Sequence, residues 1–179
     1  MDRLIYIAMT GAKHALLQQA STAHNLANVT TTGYRAESNA FRALPVYGEG
    51  AKTRAGVVDS TTGSDFSPGV IQNTNRELDV AVQGKGWIAV QAPDGSEAYT
   101  RNGSFQISPN GVLQTRNGLN VTGDGGPIAI PPDNDITVAN DGTVSAIPTG
   151  QTLTSVTALG RIKMVNPVEK DLVKGEDGL

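Results

Sequence analysis

Two histidines are the first residues to consider for chemistry, because imidazole serves both as a metal ligand and as a general base. His14 and His24 lie ten residues apart in a segment with helical periodicity. Zinc-binding helices place their histidines about one turn apart, so this pair is too widely separated to share a metal ion. The chain has no cysteine, which excludes thiolate metal sites, disulfides and cysteine nucleophiles. We therefore expect no metal site and a structural role for both histidines.

Some short segments have the composition of ligand-binding loops. Residues 84–86 and 123–126 are rich in glycine, but neither leads from a strand into a helix. Both also lack the Lys-Ser or Lys-Thr pair of a phosphate-binding loop. Residues 133–135 read Asp-Asn-Asp, yet the glycine and the closing glutamate of a calcium-binding loop do not follow. We predict that these segments are turns, and we expect no cofactor.

No residues are clear candidates for catalysis. No serine or threonine lies in a nucleophile-elbow pattern beside a base. An enzyme acting on peptidoglycan would need paired carboxylates or a metal site. Asp94, Glu97 and Asp124 show no arrangement that indicates such a pair. The sequence therefore predicts a protein that is not an enzyme and that has no small-molecule substrate.

The composition of the chain limits its partners. Acidic residues outnumber basic residues, 17 against 14, and no basic cluster is present, which argues against nucleic acid as a partner. No apolar run approaches the ~20 residues of a membrane span, so no direct membrane insertion is expected. The N-terminus lacks the features of a cleaved secretory signal. Aromatic residues make up only 4% of the chain, which with abundant Gly, Asn, Thr and Ser is typical of short strands joined by tight turns.

A long N-terminal helix is the first element that would position these residues. From residue 2 to about residue 28 the chain has no proline, and small or apolar residues recur at helical spacing. The helix would extend ~40 Å. A stripe made largely of alanine does not stabilise an isolated helix in water, so the helix needs a packing partner. The stripe consists of Leu4, Ile5, Ala8, Ala12, Ala15, Leu16, Ala20, Ala23, Leu26 and Ala27.

The rest of the chain changes character after the helix. Residues 35–76 show weak periodicity, with glycine or proline in every candidate element, and are predicted to form an extended connector. Residues 77–165 are predicted to form an antiparallel β domain, because alternating apolar residues are separated by turn dipeptides such as Asn117-Gly118. Within it, residues 80–82 are predicted to form a strand. The predicted fold is mainly β with a long N-terminal α-helix: an antiparallel, turn-rich β domain plus a helical polymerisation segment.

The sole tryptophan and one arginine stand out inside the predicted β domain. Trp87 is expected to be either a core anchor or an interface residue. Arg101, with Asn102, is expected either to brace a turn or to bind a partner. The spacing alone does not separate these roles.

Blocks of the sequence resemble the flagellar rod and hook family of axial proteins. Residues 25–34 read Asn-Leu-Ala-Asn-Val-Thr-Thr-Thr-Gly-Tyr and resemble the family's signature at the exit of its first helix. Residues 78–87 resemble the start of its β domain, and residues 99–105 resemble its Tyr-Thr-Arg-Asn-Gly element. The resemblance covers nearly the whole chain. Residues 1–6, 42–46 and 125–131 look most like the proximal rod members of the family.

This resemblance implies a structural subunit of the bacterial flagellar basal body. Such a subunit polymerises into the helical drive shaft of the proximal rod, which transmits motor torque. Its partners would be copies of itself, other rod proteins and the flagellar type III export apparatus. Its location would be the rod across the periplasm, reached by export without a cleaved signal peptide. Family members continue into a second long helix at the C-terminus, toward which residues 166–179 would lead as a return segment.

The resemblance also implies which residues join the subunits. The first helix and its exit, residues 1–34, would pack into an inner tube, with the β domain in an outer layer. The expected subunit-interface residues are Leu4, Ile5, Ala8, Ala12, Ala15, Leu16, Ala23, Asn25, Leu26, Asn28, Gly33 and Tyr34.

Alternatives within and outside this class stay open at this point. A distal rod or hook subunit would share the same motifs. A secreted, β-rich glycan-binding module belongs to a different class, and it would expose aromatic side chains for stacking on sugar rings. The chain has only one Trp, four Tyr and three Phe for that purpose.

Overall fold

The computed structural model describes residues 4–47, 55–150, 156–168 and 171–172. The chain divides into two compact units, Met1–Ser67 and Pro68–Leu179, which we call unit 1 and unit 2. Unit 1 contains the only α-helix among the described residues. Unit 2 contains most of the strands. The fold class predicted from the sequence, mainly antiparallel β with a long N-terminal helix, is confirmed.

Unit 1 consists of one helix and one β-hairpin. Helix α1 spans Leu4–Ala27 and is rich in Ala, Leu and Gln, which favour helices. Strand β1 spans Glu37–Pro45 and pairs antiparallel with strand β2, which spans Ala55–Ser64. The register shifts by one residue between Ala40 and Phe41, which marks a β-bulge. Helix α1 contacts both strands of the hairpin.

The hairpin lies where the sequence predicts an extended connector. The paired strands β1 and β2 contribute 9 and 10 of residues 35–76, and the boundary between the compact units follows Ser67. The structure therefore divides the chain differently from the four segments expected above. The physical reason is that backbone hydrogen bonds hold the two strands together, so the pairing needs little of the apolar alternation that identifies a half-buried strand in a sequence.

Unit 2 is an antiparallel assembly of short strands. These are β3 Trp87–Gln91, β4 Glu97–Thr100, β5 Phe105–Ile107, β6 Leu113–Thr115, β7 Asn120–Gly123, β8 Gly126–Pro127, β9 Asn134–Val138, β10 Thr143–Pro148, β11 Thr157–Arg161 and β12 Met164–Val165. One sheet has the order β12-β3-β7-β6-β5, with β4 paired to β3 and β8 paired to β7. A second sheet has the order β11-β10-β9.

The turn dipeptides of the sequence lie between successive strands of unit 2. Glycines with positive φ connect β3 to β4, β5 to β6, β6 to β7 and β9 to β10; they are Gly95, Gly111, Gly118 and Gly142. At the turn from β7 to β8, the glycine with positive φ is Gly126, the first residue of β8. Such φ values are open to glycine at little cost, so these turns are encoded locally.

Unit 2 has one hydrophobic core. Its buried members come from both sheets and from the segments between strands: Ile88, Val90, Phe105, Leu113, Val121, Ile128, Ile130, Ile136, Val144, Ala146 and Ile162. The largest side chains that are less than 2% exposed are those of Phe105, Ile88, Leu113, Val90, Val121 and Val144. Burial of this kind is the main favourable contribution to folding, so unit 2 has the core that a self-sufficient domain requires.

The strand predicted over residues 80–82 does not form. Among residues 79–82, only Asp79 makes an isolated bridge, and its partner is Ser104. The backbone N–H of Val80 donates to the carbonyl of Gly103 at 2.9 Å. The carbonyl of Val82 accepts from a side chain instead of from a strand, since Arg101 Nη1 lies 3.4 Å away. These groups are satisfied outside a sheet ladder, and alternation of apolar residues cannot distinguish that arrangement from a strand.

Candidate assembly interface on the N-terminal helix

Helix α1 has one face on the hairpin of unit 1. No residue of α1 is fully buried. Its half-buried residues are Ile7, Gly11, His14, Ser21 and Asn25, which follow one another at the spacing of a single helix face. The ring of His14 meets the ring of Phe41 on β1 edge-on, with centroids 5.3 Å apart. We call these residues the hairpin face of α1.

The apolar residues predicted to join subunits lie on a different side of α1. All eight of them are exposed: Leu4, Ile5, Ala8, Ala12, Ala15, Leu16, Ala23 and Leu26. We call this set the outer face of α1. The exposed fractions of Ile5, Leu16 and Leu26 are 64%, 66% and 71%. Large aliphatic side chains are normally buried, so several exposed ones on one side of a helix are typical of a surface that packs against a partner.

The outer face is wider than the sequence indicates. Met9 is 61% exposed and lies one helical turn after Ile5, and Tyr6 is 65% exposed beside it. Neither was among the predicted interface residues. Met9 could have been predicted from its four-residue spacing from Ile5, which matches the spacing from Ala8 to Ala12 in the predicted set.

The surface of α1 carries little charge. Lys13 is the only Asp, Glu, Lys or Arg among the 24 residues of the helix. No acidic residue lies in the first turn. A helix that serves as a solvated surface usually carries charges on its free side. Because charges are costly to desolvate, their absence favours packing of this helix against other chains.

The residues predicted at the helix exit make contacts within unit 1. The side-chain amide of Asn25 donates from Nδ2 to the carbonyl of Glu37 at 2.8 Å. The backbone N–H of Glu37 donates back to Oδ1 of Asn25 at 3.0 Å. The hydroxyl of Tyr34 donates to the same Oδ1 at 2.9 Å. Together these bonds attach the last turn of α1 to the first residue of β1.

The other two residues predicted at the exit shape the turn itself. Asn28 Nδ2 donates to the carbonyl of His24, one turn earlier, at 3.0 Å. The hydroxyl of Thr31 donates to Asn28 Oδ1 at 3.2 Å. Gly33 has a φ of 77°, which an L side chain rarely adopts. Whether Asn25, Asn28, Gly33 and Tyr34 also touch a neighbouring subunit stays a prediction.

In unit 2, the block that resembles the Tyr-Thr-Arg-Asn-Gly element braces a loop. The guanidinium of Arg101 lies 5.5 Å from the centroid of the Trp87 ring, a cation–π distance. Arg101 Nη2 donates to the carbonyl of Gly84 at 2.6 Å. Trp87 is half-buried. Between the two roles considered for Arg101, the structure gives it the bracing of residues 82–87.

Gly103, at the end of the same block, has no room for a side chain. A Cβ atom there would lie 1.9 Å from the carbonyl oxygen of Val80. Real Cβ atoms do not approach backbone so closely, so only glycine fits without movement of the chain. This glycine differs from the turn glycines described above, because close approach of backbone, not a positive φ, requires it.

Asp79 fastens the start of unit 2 to strand β5. The hydroxyl of Ser104 donates to Asp79 Oδ1 at 2.7 Å, and the hydroxyl of Thr74 donates to Oδ2 at 2.8 Å. Arg76 Nη1 lies 3.3 Å from Oδ1. The hydrogen bond from Ser104, followed by that from Thr74 and the charge of Arg76, lowers the pKa of Asp79. A carboxylate held ionised by structural donors is a fold contact and offers no proton for general acid catalysis.

Two of the carboxylates considered for catalysis, Asp94 and Glu97, accept hydrogen bonds within unit 2. Asp94 accepts from the hydroxyl and the backbone N–H of Ser96, and these bonds lower its pKa. Glu97, the first residue of β4, accepts a hydrogen bond at 2.7 Å from Nζ of Lys163, which lies between β11 and β12. Within the described ranges, no group of three or more His, Asp or Glu side chains is close enough to hold a metal ion. No described helix is long and apolar enough to cross a membrane.

A glycan-binding surface also lacks its main requirement in unit 2. The aromatic residues there are Trp87 and Tyr99, which are half-buried, and Phe105, which is buried. None of the three is fully exposed, as side chains that stack on sugars usually are. Helix α1, by contrast, exposes seven large apolar side chains: Leu4, Ile5, Tyr6, Met9, Leu16, Leu17 and Leu26.

Comparisons with known proteins agree with the resemblance noted in the sequence. Residues 81–146 match the family model described as the flagellar hook protein FlgE/F/G D1 domain. The chain is 50% identical to the flagellar basal-body rod protein FlgF of Escherichia coli (strain K12) over all 179 residues, which cover 71% of that relative. It is 49% identical to the FlgF of Salmonella typhimurium (strain LT2), with the same coverage. The FlgG rod protein of Buchnera aphidicola subsp. Baizongia pistaciae is 37% identical over 75% of the chain and 60% of its own length.

Proposed function

The chain belongs to the flagellar basal-body rod protein family, and from that premise we propose how it acts as a structural subunit of the proximal rod. It joins its neighbours through the outer face of α1, and it carries mechanical load without catalysing a reaction. The observation that carries this proposal is the exposure of all eight outer-face residues on a helix with one charged residue.

Assembly removes the outer face from water. Burying a single leucine or isoleucine side chain is favourable by about 1.5–3 kcal/mol. The alanines between the large residues let a second helix approach to the short end of the usual interaxial range of about 8–10 Å. Contacts between two different surfaces of identical or related subunits do not close into a dimer. They generate a helical filament, which is the architecture of a shaft, when the rotation between subunits does not close a ring.

The partners follow from this geometry and from the family. We infer that α1 packs against helices of adjacent copies and of other rod proteins. The same inference covers export through the flagellar type III apparatus without a cleaved signal peptide, and a final location in the rod across the periplasm. The proximal rod is favoured over the distal rod because identity to the FlgF relatives extends over the whole chain at 49–50%, against 37% over 75% of it for the FlgG relative cited.

Substitution of Leu16 tests the proposal in cells that lack the native subunit. Leu16→Asp places a charge in the middle of the outer face, and Leu16→Met keeps an apolar side chain of similar volume at the same site. We expect Leu16→Asp to abolish swimming and to be missing from purified basal bodies. Leu16→Met should support both. The measurement is swimming in soft agar together with the amount of the subunit in isolated basal bodies.

The purified variants provide the control for folding. Leu16 is 66% exposed, so both variants should unfold at the same denaturant concentration as the native protein. Incorporation of the Leu16→Asp variant at the native level would rule out the outer face as the joining surface.

A further inference from the structure

The bonds of Asn25 point to a role beyond the end of the helix. We propose that Asn25 is the positioning residue that sets which face of α1 is offered to the neighbouring subunit, an inference that rests on the function proposed above. It does so by pairing its amide with the backbone of Glu37. The pairing fixes the rotation of α1 about its own axis relative to the hairpin.

The contact between Asn25 and Glu37 has the form of strand pairing. Glu37 donates its N–H to Oδ1 at 3.0 Å and accepts from Nδ2 at 2.8 Å. At neutral pH a primary amide offers one fixed donor and one fixed acceptor at this separation, whereas an ionised carboxylate offers only acceptors. Asn25 therefore satisfies, at the start of β1, both backbone groups that a third strand would otherwise bind.

The amide of Asn25 is held in one orientation. Its oxygen receives the N–H of Glu37 and also the hydroxyl of Tyr34, at 2.9 Å. A flipped amide would place its NH₂ group against the Glu37 N–H and its oxygen against the Glu37 carbonyl. Because both bonds with Glu37 require the same orientation, the amide is held rigidly in place.

The contact made by Asn25 and a second contact on the same face together fix the rotation of α1 about its axis. Asn25 lies on the hairpin face, near the C-terminal end of α1, and His14 on the same face contacts Phe41 three turns earlier. Three turns of helix span about 16 Å. Two attachment points that far apart on one face leave α1 no freedom to roll. The outer face, with Ile5, Leu16 and Ala23, is thereby kept away from the hairpin.

Asn28 provides a matched control three residues away. It has the same side chain and belongs to the same sequence block, but its Nδ2 donates to the carbonyl of His24 within α1. Its substitution perturbs the helix end and leaves the bonds of Glu37 in place. A difference between the two positions therefore reports on the contact with β1.

The isosteric change Asn25→Asp tests the inference in the full-length protein. At neutral pH the new carboxylate has no hydrogen to donate, and one of its oxygens faces the Glu37 carbonyl. We expect the backbone N–H of Glu37 to exchange with solvent about tenfold faster than in the native protein. The bond to the Glu37 carbonyl is lost, and repulsion between that carbonyl and the carboxylate moves the carboxylate away from the N–H. Asn28→Asp should leave the exchange of Glu37 within twofold of the native rate.

Lowering the pH distinguishes whether residue 25 acts through its hydrogen bonds or through its shape. When the introduced carboxyl is protonated it again has one donor and one acceptor, so protection of Glu37 should return as the pH falls to about 4, near the ordinary pKa of Asp. His24 and Glu37 also ionise in this cluster, with His24 Nδ1 3.9 Å from Glu37 Oε2. The native protein measured at each pH is therefore the reference. Loss of protection without acid recovery, or no loss at all, would overturn the proposed contact.

Incorporation into basal bodies separates this inference from the proposed function. We expect the Asn25→Asp variant to be incorporated at least tenfold less than the native subunit. If Asn25→Asp frees Glu37 but is incorporated normally, the contact does not position α1, and the inference fails while the rod function stands. If the native subunit itself is absent from basal bodies, the proposed function fails first.

Discussion

Helix α1 of unit 1 and the hydrophobic core of unit 2 hold large apolar side chains in opposite environments. In unit 2, Phe105, Leu113 and Val144 have no exposed surface. In unit 1, Ile5, Leu16 and Leu26 on α1 are each more than 60% exposed. The residue types are alike, so the difference lies in what the fold offers them. A domain that folds for its own stability buries such residues, and a segment that folds for assembly leaves them for its neighbours.

The two units also use their polar motif residues differently. In unit 2, Arg101 and Asp79 bind groups that lie far away in the sequence but inside the same unit, and they close the fold on itself. In unit 1, the amide of Asn25 holds α1 on the hairpin by one side, which leaves the other side free. The contacts of unit 2 complete a domain, whereas those of unit 1 orient a surface.

The largest expected difference between the units is in the free energy of unfolding when one apolar side chain in each is truncated. Phe105→Ala removes a fully buried ring and should lower the free energy of unfolding by about 3–5 kcal/mol. Leu16→Ala removes an exposed side chain of α1 and should change it by less than about 0.5 kcal/mol. Urea unfolding measures both, followed by the fluorescence of Trp87 for unit 2 and by the far-ultraviolet circular dichroism of α1 for unit 1. Comparable losses from the two variants would mean that α1 is packed in the free protein.

A smaller but still large effect is expected from one glycine of unit 2. Gly103→Ala places a methyl group against the Val80 carbonyl and forces the backbone to move, which should cost about 3 kcal/mol. Gly125 is the matched control, because an added Cβ there has nothing within 4 Å and its φ is not positive. Gly125→Ala should be nearly neutral in the same urea measurement. Equal midpoints for the two variants would contradict the tight contact between residues 80 and 103.

The sequence allowed some of these elements to be predicted, and the reasons differ between the units. Helix α1 has a clear 3.6-residue periodicity, and the turns of unit 2 carry glycines such as Gly118 and Gly142 at positive φ. Both signals are local, so they can be identified without knowledge of the fold. The exposed row on α1 was also predictable, because its narrow alanine stripe could not by itself bury enough surface.

The hairpin of unit 1 escaped prediction because its determinants are not local. Strands β1 and β2 pair through backbone groups, and the first residue of β1 is fastened by the amide of Asn25, twelve positions earlier in the sequence. Neither feature leaves a periodic pattern. The same holds for Gly103, whose need for glycine comes from Val80 and not from a turn. Contacts between distant segments are what the periodicity of a single sequence does not contain.

Chemical labelling of the outer face tests the central claim most directly. The chain has no cysteine, so Ala12→Cys places a single thiol on the outer face, where Ala12 is exposed. A water-soluble maleimide should label the free subunit quickly and the same subunit in isolated basal bodies at least tenfold more slowly. Dissociation of those basal bodies in urea should restore labelling. Equal labelling of the free and assembled subunits would show that the outer face stays in water, and it would contradict the account of α1 as the joining surface.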